Sequence, residues 1–118
     1  MADPRVIQKI RWAAKQTGAD PAALLATAIT ENGARWGLTP GDNGTSFGPF
    51  QFHRGGALGS NAPEWALSDD AFLNRAREFK RLQVRGGKGA AAVQRPADPA
   101  GYAIKVDAQL EQARRLLG

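Results

Sequence analysis

Apolar residues recur at helical spacing in four stretches of the chain, and alternation with period two persists nowhere. Val6, Ile7, Ile10, Ala13 and Ala14 form the first stripe, with Arg5, Lys9, Arg11 and Lys15 elsewhere around the same helix. Leu24, Leu25, Ala28 and Ile29 form the second. Phe72, Ala76, Phe79 and Leu82 form the third, and Tyr102, Val106, Leu110, Ala113 and Leu117 the fourth. Each stripe needs a partner to cover it, so the pattern predicts a mostly α domain of about five or six helices around one core.

The boundaries of these helices are written in their flanks. Ala-Asp-Pro occurs three times, at 2–4, 19–21 and 97–99. Aspartate is a good N-cap, and proline at the first helical position loses no intrahelical bond. The tripeptides therefore read as helix starts at Pro4, Pro21 and Pro99, and not as a fold repeat. Gly18 and Gly33 end the first two helices near Thr17 and Asn32. Ser68 followed by Asp69 and Asp70 starts another, because acids favour the positive end of the helix dipole. Residues 85–89 read as a break and Ala90 to Gln94 as a short helical piece. Between the second and third stripes, residues 34–47 form a polar loop with room for a short hairpin. Gly48 to His53 reads as a short helix, and residues 55–63 as a second loop.

Composition narrows the chemistry. At 118 residues the chain suits a single domain over residues 1–118. Without cysteine it has no disulfide, no thiolate nucleophile and no cysteine-based zinc site, and with His53 alone no metal site and no cofactor are expected. No apolar run reaches membrane-spanning length, and Met1 to Arg5 lacks the apolar core of a secretory signal. The net charge of +5 suits an anionic partner such as nucleic acid, a membrane surface or bacterial cell wall. Against nucleic acid, the basic residues are spread over several helices, and the central polar loop carries Asp42 where a phosphate would be repelled.

The candidate chemistry centres on Glu31. It follows Leu24 by seven residues and Ala28 by three, so all three share one line of the helix and the carboxylate leans toward the apolar face. It also sits in the last turn, at the negative end of the dipole. Desolvation and the dipole both favour the protonated form, as a general acid for a glycosidic oxygen requires near neutral pH. The loop that follows supplies Asp42, Asn43, Thr45 and Ser46 between Gly41, Gly44 and Gly48. Short polar side chains suit sugar hydroxyls, and glycines let backbone approach a ligand; the same residues also make ordinary turns. Phe47, Phe50 and Phe52 are expected to wall the cleft.

Glu31-Asn32-Gly33, then a polar loop, then Ser46-Phe47-Gly48-Pro49-Phe50-Gln51 resembles the lysozyme-like lytic transglycosylases, whose pattern is Glu-Ser followed by Gly-Leu-Met-Gln. The stretch Gly-Asp-Asn-Gly-Thr-Ser-Phe-Gly-Pro-Phe-Gln-Phe-His at 41–53 is similar to cell-wall hydrolase domains of phage tail and tape-measure proteins, as is the later stretch from Val93 to Val106. The resemblance spans residues 20 to 110. It implies a lysozyme-like fold with a polar loop or hairpin lining the cleft, and peptidoglycan glycan strands as the partner. It also implies a monomer or a part of a larger phage tail protein, acting at the bacterial wall without nucleic acid or membrane. Carried over by position, Glu31 matches the catalytic acid; Gly48, Phe50 and Gln51 match the cleft-lining segment, with Thr45, Ser46 and Phe47 just before it. Tyr102 matches a tyrosine near the acid, and Gln94 falls near the family's Ala-Tyr-Asn element. Asn32 and Pro49-Phe50 depart from the pattern, and Ala-Tyr-Asn itself is missing.

Two reactions follow from that family. A hydrolase commonly adds a second carboxylate, and Asp42, eleven residues after Glu31, is the candidate; the plainer reading is that Asp42 caps the Gly41–Gly44 turn. A lytic transglycosylase needs one acid, which protonates the leaving oxygen and then deprotonates the sugar's own 6-hydroxyl. The segment from Gly48 to Gln51 favours the second. Apart from these reactions, a non-catalytic wall-binding module is the alternative. Trp12 lies off the stripe of its helix, and Trp36 and Trp65 sit in or near loops; exposed tryptophans can stack on sugar rings, but packing under a loop is the commoner fate. The run Arg75, Arg77, Lys80, Arg81 and Arg85 is expected to form a solvated face that can also hold anionic wall polymers.

Overall fold

The computed structural model describes residues 2–41, 44–56 and 58–118. Among these, five α-helices carry the architecture: α1 (Pro4–Thr17), α2 (Pro21–Asn32), α3 (Asp69–Arg81), α4 (Gly87–Gln94) and α5 (Pro99–Leu117). A two-stranded antiparallel hairpin, β1 (Ser46–Phe47) and β2 (Phe52–His53), and a 3-10 turn over Pro63–Leu67 lie between α2 and α3. The molecule is mostly helical with one small sheet. No described helix is long and apolar enough to cross a membrane.

The three Ala-Asp-Pro sites are helix N-caps. Asp3, Asp20 and Asp98 accept hydrogen bonds from the backbone N–H groups of Arg5 (2.8 Å), Ala22 (3.0 Å) and Gly101 (3.1 Å). Ser68 caps α3 through Ala71 N–H at 3.2 Å. Each bond satisfies a donor that the first helical turn leaves without a partner. Helix α2 is more deeply placed than its four-residue stripe predicts, since Ala22 through Ala28 are all buried. Alanine and leucine on every side let α1 and α5 pack around it. One connected apolar cluster runs from Val6 to Ala113.

Helix α4 begins at Gly87, three residues before the expected Ala90. Its start is set by α5: Gly87 N–H donates to Asp107 Oδ1 at 2.6 Å, and a Cβ at Gly87 would stand 1.9 Å from the Ala103 carbonyl oxygen. Only glycine permits that approach, which brings the C-terminal end of α4 beside the first turns of α5.

The expected short helix over Gly48 to His53 is instead the turn and second strand of the hairpin, with Ser46 opposite His53 and Phe47 opposite Phe52. Gly48 (φ 78°) and Gln51 (φ 50°) reverse the chain in left-handed backbone, closed by Gln51 N–H to Gly48 O at 3.0 Å. A Cβ on Gly48 would lie 2.8 Å from the Ala66 Cβ, so the turn is seated on the 3-10 segment. The phenylalanines do not wall a cleft. Phe47, Phe50 and Phe52 are buried, and Phe50 packs edge-on against Phe52 and Phe72. Burying three rings outweighs presenting them to solvent. Leu82 departs from its stripe as well: α3 ends at Arg81, and Leu82 is exposed. Leu110 and Leu117 are half-buried on the edge of the core.

Candidate active site

Glu31 lies in the last turn of α2 and is half-buried. Its Oε2 accepts two hydrogen bonds from distant parts of the chain. Tyr102 Oη donates at 2.7 Å from the first turns of α5, and Gln94 Nε2 donates at 2.6 Å from the last residue of α4. Gln94 Nε2 also donates to the Phe50 carbonyl at 2.7 Å, which ties the hairpin to the acid. Thus α2, α4, α5 and the hairpin all converge on one carboxylate.

Two concavities meet there. The larger, about 460 Å³, opens between Glu31, Gln51, Gln94, Arg95, Tyr102 and Lys105. The smaller, about 230 Å³, is bounded by Glu31, Asn32, Arg35, Thr39, Gly41 and Gln51. Glu31 and Gln51 belong to both, so the acid stands midway along a groove. Gln51 is held by its own Nε2 bond to Gly48 O at 2.8 Å.

Tyr102 is buried, and burial, the Glu31 charge and the hydrogen bond to Glu31 all hold its phenol well above the ordinary value of 10.0. It is therefore a neutral O–H donor throughout the physiological range. Its bond and that of Gln94 favour the ionised carboxylate, opposing the desolvation and dipole effects that favour the acid. Arg75, expected in a solvated basic run, is instead buried on α3, with its guanidinium 4.7 Å from the centre of the Phe52 ring. Its Nε has no hydrogen-bond partner among the described residues. Burial pulls its pKa down, while the charges of Glu78 and Glu31 and the Tyr102 phenol push it up. The neighbouring Arg77, Lys80, Arg81 and Arg85 are exposed.

The other candidates lie apart from the acid or outside the description. Asp42 and Asn43 fall outside the described residues. Ser46 is buried, with Oγ 3.3 Å from His53 Nδ1, and Thr45 accepts Arg54 N–H at its carbonyl (2.7 Å). Neither lines the two concavities. Phe47, Gly48 and Phe50 are buried, so Phe50 reaches the site only through its carbonyl. Trp36 stacks on Phe72 (6.2 Å), Trp65 meets Phe52 edge-on (5.0 Å), and Trp12 is half-buried beside Lys9.

Arg95, Lys105 and Arg35 were not among the sequence candidates, and only Arg95 carried a local signal. It follows the short apolar piece ending at Gln94, where a glycine would ordinarily stop the helix. Among the described residues no three His, Asp or Glu side chains converge as metal ligands. Compared with family models, curated proteins and solved structures, the chain matches none.

Proposed function

We propose that the protein is a lysozyme-like enzyme that cleaves the β-1,4 bond between N-acetylmuramic acid and N-acetylglucosamine in peptidoglycan, as a lytic transglycosylase. The observation that carries this reading is Glu31: a half-buried carboxylate midway along a groove, gripped by two neutral donors. A helical body with a small hairpin beside the groove supports the lysozyme-like reading. On this reading the protein acts at the bacterial cell wall, as a phage tail component.

In the proposed reaction, protonated Glu31 gives its proton to the glycosidic oxygen as the C1–O bond breaks. The carboxylate formed is met by the O–H of Tyr102 and the N–H of Gln94, donors already aimed at Oε2. Glu31 then takes the proton of the sugar's 6-hydroxyl while that oxygen bonds to C1. The product is a 1,6-anhydro end, no water is consumed, and the enzyme regains its starting protonation. The groove extends to both sides of Glu31, which suits cleavage within a strand.

The test is digestion of purified peptidoglycan by wild type and Glu31→Gln, with the sugar ends identified by mass spectrometry. Anhydro ends, lighter by one water and absent with the variant, are expected. Reducing ends would mean a hydrolase, with Asp42 the next residue to replace. Wall binding without release of fragments would leave a non-catalytic binding module.

A further inference from the structure

Three cations line the groove: Arg95 and Lys105 in the larger arm and Arg35 in the smaller. None has an ion-pair partner among the described residues. The other acid lining the larger arm besides Glu31 is Asp98, whose Oδ1 is engaged as the α5 cap. Arg95 is also held in an unfavourable backbone. It is the C-cap of α4 at φ 52°, ψ 55°, a left-handed position that glycine ordinarily occupies. Gln51, at φ 50°, is the other left-handed non-glycine residue lining this cavity. Such strain persists only where the surrounding structure fixes it, and it clusters at ligand-binding sites. Arg95 and Lys105 are both exposed on this concavity, where their side chains are open to a ligand entering from solvent.

We propose that the Arg95–Lys105 arm is an anion subsite that binds a carboxylate hung from the sugar strand. The inference rests on the glycan-cleaving reading above and narrows its substrate to acidic strands over neutral ones. Arg95 contributes a planar fork suited to a carboxylate, and Lys105 a second positive charge. In peptidoglycan that carboxylate has two sources: the lactyl group of muramic acid where the peptide has been removed, or the stem peptide where it is present.

The test compares KM on four substrates: peptide-bearing strands, strands stripped by an amidase, each of these with its carboxyl groups blocked as neutral methylamides. Wild type is expected to show a KM about tenfold lower on the carboxylated member of at least one pair, and the pair identifies the source. In Arg95→Gly and Lys105→Gln the ratio is expected to fall toward one, while Arg95→Lys keeps most of it. Arg95→Gly suits the left-handed cap, so it is expected to melt at or above the wild-type temperature, which separates loss of the preference from loss of fold. Equal KM values for blocked and unblocked strands, or a preference that survives both neutral variants, would overturn the subsite and leave the enzyme intact. No cleavage of any of the four by wild type would instead remove the glycan-cleaving reading.

Discussion

At the scale of single residues, the pair Glu31–Tyr102 predicts a pH response. The phenol of Tyr102 is held above 10.0 in the folded protein and reverts to that value on unfolding. A raised folded value means that the contribution is fully present below pH 10 and is lost as pH climbs beyond it. Urea midpoints of wild type should therefore fall more steeply between about pH 9.5 and about pH 11, the window of tyrosine ionisation, than those of Tyr102→Phe. On the proposed reaction the same substitution removes one donor to Oε2 and should lower kcat roughly tenfold with little change in KM. Arg75 predicts a separate outcome. It is a buried guanidinium whose charge is met by an aromatic ring and by no ion-pair partner among the described residues. Replacing such a group with an apolar chain of similar length is often neutral or stabilising. Arg75→Met should hold the wild-type melting temperature within a few degrees, since the lost cation–π contact of about 1–2 kcal/mol is offset by the desolvation no longer required. With the cation gone, Glu31 should bind its proton more tightly, and on the proposed reaction the pH–activity profile should move upward. A fall in melting temperature of ten degrees or more would show that Arg75 is instead a structural keystone.

At the scale of elements, the close approach of α4 to α5 through Gly87 is the most demanding contact in the fold. Gly87→Ala places a methyl against a backbone oxygen, which cannot rotate away, and should cost about 2 kcal/mol in urea unfolding while displacing Gln94 from Glu31. Gly37→Ala, whose Cβ would meet nothing within 4 Å, is the neutral control. The helices themselves were legible in the chain because their signals are local. An aspartate before a proline, or a glycine after an apolar stripe, acts over two or three residues, and so α1, α2 and α5 start where the Ala-Asp-Pro tripeptides say. The hairpin was hidden because strands of two residues are too short to display a period, and its turn is set by the backbone of Gly48 and Gln51. The early start of α4 was hidden because it depends on Asp107 and Ala103 in another helix. In the site, Glu31 stood out from its place in one helix. The burial of Arg75 was not legible, because four of the five residues in its basic run are exposed and only its packing under Phe52 singles it out.

At the scale of the whole molecule, a net charge of +5 is carried mainly by exposed lysines and arginines, including those along the groove. On the proposed reading, retention on insoluble wall should fall as salt rises from about 50 to about 500 mM, over which screening shortens from about 14 to about 4 Å. Wall binding that is flat across that range would mean that contacts other than charge hold the protein there. The arrangement around Glu31 has a further consequence for synthesis in a cell. The carboxylate comes from α2, but both of its described donors come from the far side of the chain, 63 and 71 residues later. A nascent chain that has emerged only through the hairpin carries the acid without Gln94 or Tyr102, and without the wall of the groove that α4 and α5 provide. The site thus comes into being only when the last helix docks. On the proposed reading, a chain degraded or stalled before that point cannot cleave glycan, and the cell that makes the protein meets its chemistry only once α5 has docked.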